Sequence, residues 1–308
     1  MTEPQIKTVL GNISPEQLGV VLPHEHVCCY FEYFYKMLGD AYLDKDALCK
    51  QAVKHLTEAK QKFGLSTIVD CTPVNIGRDL DLLREVSRAS GVHIVTASGF
   101  YYTEEAMLSS IPEEQIAERI KEDVERNEIG VLKFAVETQE MSKLSAKLLS
   151  ALCTVQTTTA LPLIIHTNAK NQNAREILPF VLERGVSPSA LTIGHLSDTD
   201  DMDYVTKLLA SGAYVGFDRI YKSSRPEYYV QKARDLYTLC ERGYSSRILL
   251  SHDGLVFNGF RADAHIREDN PYTPIFEHLL PAMREVGFCD EEIKKLMIDN
   301  PKQMLLCQ

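Results

Sequence analysis

Leu191-Thr192-Ile193-Gly194-His195-Leu196-Ser197-Asp198-Thr199-Asp200-Asp201 decides how the rest of this chain is read. A short apolar run of strand length ends on a histidine. Acidic residues follow, and 200–209 then has the spacing of a helix. Short runs apolar on both faces are typical of strands buried inside a parallel sheet. Parallel strands also need a long crossover between them, usually a helix. The same unit recurs on either side. Upstream stand Leu22-Pro23-His24-Glu25-His26, Val131-Leu132-Lys133 and Pro162-Leu163-Ile164-Ile165-His166, and downstream Leu249-Leu250-Ser251-His252-Asp253. In each, an ionisable side chain closes an apolar run.

Eight such runs appear, at 19–22, 66–71, 93–97, 130–136, 163–165, 191–193, 213–216 and 247–250. Between them, 44–63, 79–89, 114–127, 142–158, 173–184, 200–209 and 226–242 have helical patterning, and 273–286 and 290–305 follow the last run. Gly91 is placed to cap the second of these helices. Alternating strands and helices predict an α/β fold, a single distorted (β/α)8 TIM barrel over residues 1–308. A doubly wound open sheet is the competing architecture. Against it, no Gly-x-Gly-x-x-Gly follows the first run, and the ionisable residues are spread over many strand ends, as in barrels. The long stretch 256–272 after the eighth run is expected to cover the barrel mouth.

With 308 residues, 44% hydrophobic and 25% charged, the chain can bury a large core beneath an ordinary soluble surface. Its formal net charge of −10 disfavours nucleic-acid and membrane partners. It does not exclude an anionic small molecule, because a cleft can oppose the net charge. No run approaches the ~18 apolar residues of a membrane span, and the polar N-terminus lacks the pattern of a signal peptide. Eight cysteines without a Cys-x-x-Cys pair read as reduced, mostly buried thiols. A cytoplasmic protein is expected.

His24 and His26, two apart on a strand, project to one face. Alone, such a pair is most often chance. Lys133 alone would be a solvated or ion-paired cation, His166 and His195 core histidines, and Asp253 a turn residue. Together, at successive strand ends, they are enough ligands for two divalent metal ions. Imidazoles suit zinc, and also manganese or cobalt. A desolvated lysine beside two cations loses its proton readily. The neutral amine can then add carbon dioxide, giving a carbamate whose two oxygens can bridge metals. His252, next to Asp253, is expected to point to the opposite face.

These segments resemble the phosphotriesterase branch of the amidohydrolase superfamily, which includes phosphotriesterase-related proteins and phosphotriesterase-like lactonases. The resemblance runs from Leu22-Pro23-His24-Glu25-His26 to Ser251-His252-Asp253, and Gly194–Asp201 is its most specific part. It implies that His24, His26 and Asp253 hold the buried ion and His166 and His195 the exposed one, with carbamylated Lys133 and a hydroxide between them. It further implies that Asp253 takes up the proton of the attacking hydroxide, that Asp198 passes protons on, and that the chain forms homodimers.

The substrate residues are less sharply marked. Tyr101 and Tyr102 follow the third run, and one or both could bind the substrate. Asp218-Arg219 follows the seventh, as in phosphotriesterase-like lactonases, whereas dedicated phosphotriesterases commonly have histidine where Arg219 stands. Arg219 could contact substrate or pair with a nearby acid. Lys222 and Arg225 could join it in holding a phosphate or carboxylate tail, and Phe257 could line an apolar mouth. The expected activity is hydrolysis of carboxylate esters or lactones, with organophosphate esters as side substrates. A lactonase for phosphorylated sugar lactones, a dedicated phosphotriesterase and a non-catalytic metal-binding scaffold are the alternatives.

Overall fold

The eight apolar runs form one parallel sheet in the computed structural model, which describes residues 4–103 and 106–307. The strands are β1 (Val20–Glu25), β2 (Leu65–Asp70), β3 (His93–Gly99), β4 (Val131–Ala135), β5 (Leu163–His166), β6 (Leu191–Ile193), β7 (Tyr214–Phe217) and β8 (Ile248–Leu250). Each pairs in parallel with its neighbour in sequence, from β1 round to β8. Helices α1 (Lys45–Phe63), α2 (Leu80–Ser90), α3 (Glu113–Arg126), α4 (Lys143–Thr159), α5 (Ala174–Leu182), α6 (Met202–Leu209), α7 (Pro226–Leu239) and α8 (Leu280–Val286) follow the strands in turn. This is the (β/α)8 barrel that the sequence predicts. Helix boundaries lie where cap chemistry puts them. The side chains of Asp44 and Asp79 accept from the first turns of α1 and α2, and Gly64 and Gly91 end these helices in left-handed conformations.

β1 and β8 meet at a seam. Two backbone bonds cross it at the C-terminal end, Asp253 N–H to His24 O at 3.1 Å and His26 N–H to Gly254 O at 2.9 Å. A buried carboxylate completes the closure. Glu25 lies between the two histidines and, by strand alternation, projects away from them. It accepts from Ser251 Oγ (2.8 Å), His252 N (2.9 Å), His252 Nδ1 (2.8 Å) and Gly254 N (2.8 Å). His252 thus points away from the ligand set, as its place in the strand predicts.

Side chains alternate between two packed layers. Leu22, Ile68, Ile94, Leu132, Ile165 and Ile193 face the helices. Val21, Val69, Val95, Val131, Ile164 and Leu249 fill the lower barrel, where Met304 and Leu305 pack among them. Above this apolar plug the inward positions become polar, and there the candidate ligands gather. The stretch after β8 folds across the mouth, with Phe257–Asn258 pairing Cys28–Cys29 in parallel. All eight cysteines are free thiols, five of them buried. Among the described residues, no helix is long and apolar enough to cross a membrane.

Candidate metal centre

His24, Lys133 and His166 lie in or at the ends of β1, β4 and β5. His26, His195 and Asp253 sit just past β1, β6 and β8. All six converge on one point at the top of the barrel. His24, His26, Lys133, His166 and His195 are at most 5% exposed. His195 and Asp253 both adopt left-handed backbone conformations, at φ 67° and 52°. Such conformations are uncommon for non-glycine residues and concentrate at functional sites. Here they turn the chain so that each side chain points into the barrel instead of along the strand.

Outer partners fix the orientation of every imidazole. Asp218 accepts from His24 Nδ1 at 2.6 Å and from His195 Nδ1 at 3.0 Å, as well as from the His195 backbone N–H at 2.6 Å. Thr72 Oγ1 donates to the Cys28 carbonyl, so it accepts from His26 Nδ1 at 2.8 Å. Glu137 accepts from His166 Nε2 at 2.8 Å and is itself held by Asn168. With hydrogens on the outer nitrogens, the inner nitrogens of His24, His166 and His195 present lone pairs, whereas His26 holds its inner nitrogen against the Asp253 carboxylate. Two of these, His195 Nε2 and His166 Nδ1, stand 2.8 Å apart. His26 Nε2 faces Asp253 Oδ1 at 3.2 Å, and His24 Nε2 lies 3.7 Å from the same oxygen. The His195 and His166 nitrogens, acceptor facing acceptor at 2.8 Å, repel unless a cation joins them. The donor set therefore fits divalent metal, with imidazoles and a carboxylate in suitable number. Lys133 Nζ lies 2.6 Å from His24 Nε2.

The electrostatics agree. Burial lowers the pKa values of His24 and His195, and takes His166 to about 4, so all three are neutral near pH 7. Burial alone would raise Asp218, but His195 and His24 hold it far below the ordinary carboxylate range. His26 differs: burial would lower it, yet Cys29 and Asp253 beside it push it up to about 10.

Sequence reasoning missed Asp218 as part of the site. His24, His195 and Asp218 also cluster closely enough to suggest a metal site. However, Asp218 occupies the outer nitrogens of both rings, so it orients ligands and does not serve as one. Room for it comes from two glycines. A Cβ on Gly216 would lie 2.5 Å from Asp218 Oδ2, and one on Gly194 3.1 Å from it. The Gly before His195 and the Gly-x-Asp after β7 are the traces this leaves in the sequence.

A cavity of about 690 Å³ opens above the ligands. Tyr101 lines it and meets His166 edge-on, with ring centroids 5.6 Å apart. Tyr102 packs on Tyr101 and His166 but lines a neighbouring hollow and is 41% exposed. Arg219 does not pair with Asp218. Its Nε donates to Asp253 at 3.0 Å and its Nη1 to Asp198 at 2.8 Å, joining the two acids expected to handle protons. Lys222 lines the cavity, whereas Arg225 lines an adjoining one. Phe257 is buried beneath the covering loop, and Phe260 reaches the cavity wall in its stead.

A (β/α)8 barrel carrying histidines, a lysine and an aspartate at its strand ends defines the class as metal-dependent hydrolases. The chain matches the Phosphotriesterase family over residues 4–305 and belongs to it. Among its relatives, the phosphotriesterase homology protein of Mycobacterium tuberculosis is 27% identical, covering 98% of this chain and 97% of the relative. The aryldialkylphosphatase of Saccharolobus solfataricus is 29% identical over 95% and 96% of the two chains. The N-acetyltaurine hydrolase of Xenopus tropicalis is 26% identical over 98% and 97%.

Proposed function

We propose that this chain hydrolyses carboxylate esters, lactones included, at a binuclear metal centre held by His24, His26, Lys133, His166, His195 and Asp253. One observation carries the reading: the inner nitrogens of four imidazoles converge with the Asp253 carboxylate at the top of the barrel, where Lys133 Nζ meets His24 Nε2. Zinc suits these ligands best, with manganese or cobalt as substitutes. Carbamylated Lys133 would add two further oxygen ligands to the set. When bound, the two cations would supply hydroxide from water at neutral pH and polarise the substrate carbonyl.

The chain's own residues do the rest. Asp253 takes the proton released as hydroxide adds to the carbonyl, and returns it to the departing alkoxide. Arg219 fixes the Asp253 carboxylate and holds Asp198 on its other side, where Asp198 can carry away the proton lost by the next water as hydroxide is regenerated. Burial keeps the Tyr101 phenol protonated, so it can donate to a substrate oxygen. The names of the relatives span a phosphate ester and an N-acyl amide, so loops and not the metal ligands must set specificity. The bonds of Arg219 to Asp253 and Asp198 make it part of the proton-handling group. The resemblance of the Asp218-Arg219 segment to phosphotriesterase-like lactonases is what favours a carbonyl substrate in this reading.

The test is kcat/KM of the zinc- or manganese-loaded protein on aryl carboxylate esters, neutral lactones, phosphorylated sugar lactones and an aryl phosphotriester. The carboxylate esters or lactones are expected to lead. A dominant phosphotriester contradicts the reading, and hydrolysis of none of them leaves a metal-binding scaffold.

A further inference from the structure

The wall of the main cavity runs against the composition of the chain. Acidic residues outnumber basic ones, 43 to 33. Yet among the described residues, and outside the candidate ligands, the charged side chains that line the cavity are Arg219, Lys222, Arg261 and Arg267, with Asp269 the one carboxylate. Arg219 is spent on Asp253 and Asp198. The other three lie at the rim, Lys222 on the loop after β7 and both arginines on the loop after β8.

Their existing partners hold them weakly. Arg261 pairs with Asp263 at 3.0 Å, both about two-thirds exposed, and Arg267 with Asp269 at 2.6 Å, both more than a third exposed. Exposed pairs of this kind contribute little and are screened by salt. Arg267 pairs with Asp269, and Lys222 lines the same cavity from the loop after β7. Arg267 is also fixed at its backbone. Its N–H donates to the Val256 carbonyl at 2.8 Å, and its carbonyl accepts from Gln51 Nε2 at 3.0 Å and His55 Nε2 at 3.1 Å, both on α1. A guanidinium rooted on a helix gives up less freedom on binding an anion. Nothing in the proposed hydrolysis uses these rim cations.

We propose that Lys222 and Arg267, with Arg261 at the outer edge, form a subsite for an anionic group carried by the substrate away from the bond that is hydrolysed. A phosphate, sulfonate or carboxylate tail would satisfy it. The proposal rests on the hydrolase reading and narrows its substrate class. It also moves the anion-binding role from Arg225, which faces the adjoining cavity, to the loop after β8.

The test compares 4-nitrophenyl pentanoate with mono-4-nitrophenyl glutarate, equal in length and differing in one terminal carboxylate. Wild type should favour the glutarate ester, and added salt should erode that preference. The double variant Lys222→Ala/Arg267→Ala should lose at least about tenfold of the preference, mainly in KM, while keeping its rate on the neutral ester. Equal rates on the two esters, or a preference that survives the substitutions, overturns the proposal without touching the hydrolase reading. If neither ester is cleaved, the hydrolase reading is left to the lactones, and inorganic phosphate titrated into the metal-free protein decides on the subsite instead. Saturable binding lost in the double variant then supports the subsite, and no binding overturns it. Phosphate binding without any ester preference marks a free-anion site and overturns the assignment to a substrate tail.

Discussion

Asp218 shows how one carboxylate can organise a metal centre without touching the metal. It bonds one ring from each end of the ligand set, His24 and His195. Replacing it by Ala should weaken metal binding by about 10–100-fold, the usual effect of removing a partner that orients ligating histidines. Competition with a chromogenic chelator reads this directly, and unchanged affinity would mean that packing alone holds the rings. His26 supplies a pH dependence. Its value of about 10 means that the metal-free protein carries a proton between His26 and Asp253 at neutral pH, and a metal ion must displace it. Affinity should therefore rise as pH rises from 6 to 8, by up to about tenfold per unit for one displaced proton. A flat profile would place that proton elsewhere. The candidate ligands were legible in the sequence because each closes an apolar run. Asp218 was not, because an aspartate after a strand reads equally as a turn or cap residue, and its partner His24 lies 194 positions away.

At the scale of elements, the strands, their order and the helices between them follow from short apolar runs and cap residues. Asp44, Asp79, Gly64 and Gly91 mark helix ends by chemistry that a sequence displays openly. The seam between β1 and β8 is different. Its main fastener, Glu25, is hidden between two histidines that attract the functional reading, and its partners lie at the far end of the chain. Glu25→Ala would leave four donors facing a void at a fully buried position. The expected cost is about 3–5 kcal/mol. Urea denaturation measures it, and a loss below about 1 kcal/mol would show that the two backbone bonds close the seam unaided. The cavity rim was the least legible element. Arg261 and Arg267 lie in a loop with no periodicity, and only the folded chain brings them to Lys222.

Across the whole molecule, stability and chemistry occupy different ends of the barrel. The lower interior is a packed apolar plug, and the upper interior gathers imidazole nitrogens and carboxylates that a metal ion would join. A metal ion should thus both stabilise the fold and switch on hydrolysis. The most direct check titrates zinc into the chelator-treated protein, in the presence of bicarbonate, and follows bound metal, thermal midpoint and ester hydrolysis together. Two equivalents per chain, a rising midpoint and activity that reaches its plateau at the second equivalent are the predicted result. Full activity at one equivalent, or two bound ions with no hydrolysis of any carboxylate ester or lactone, would contradict the account.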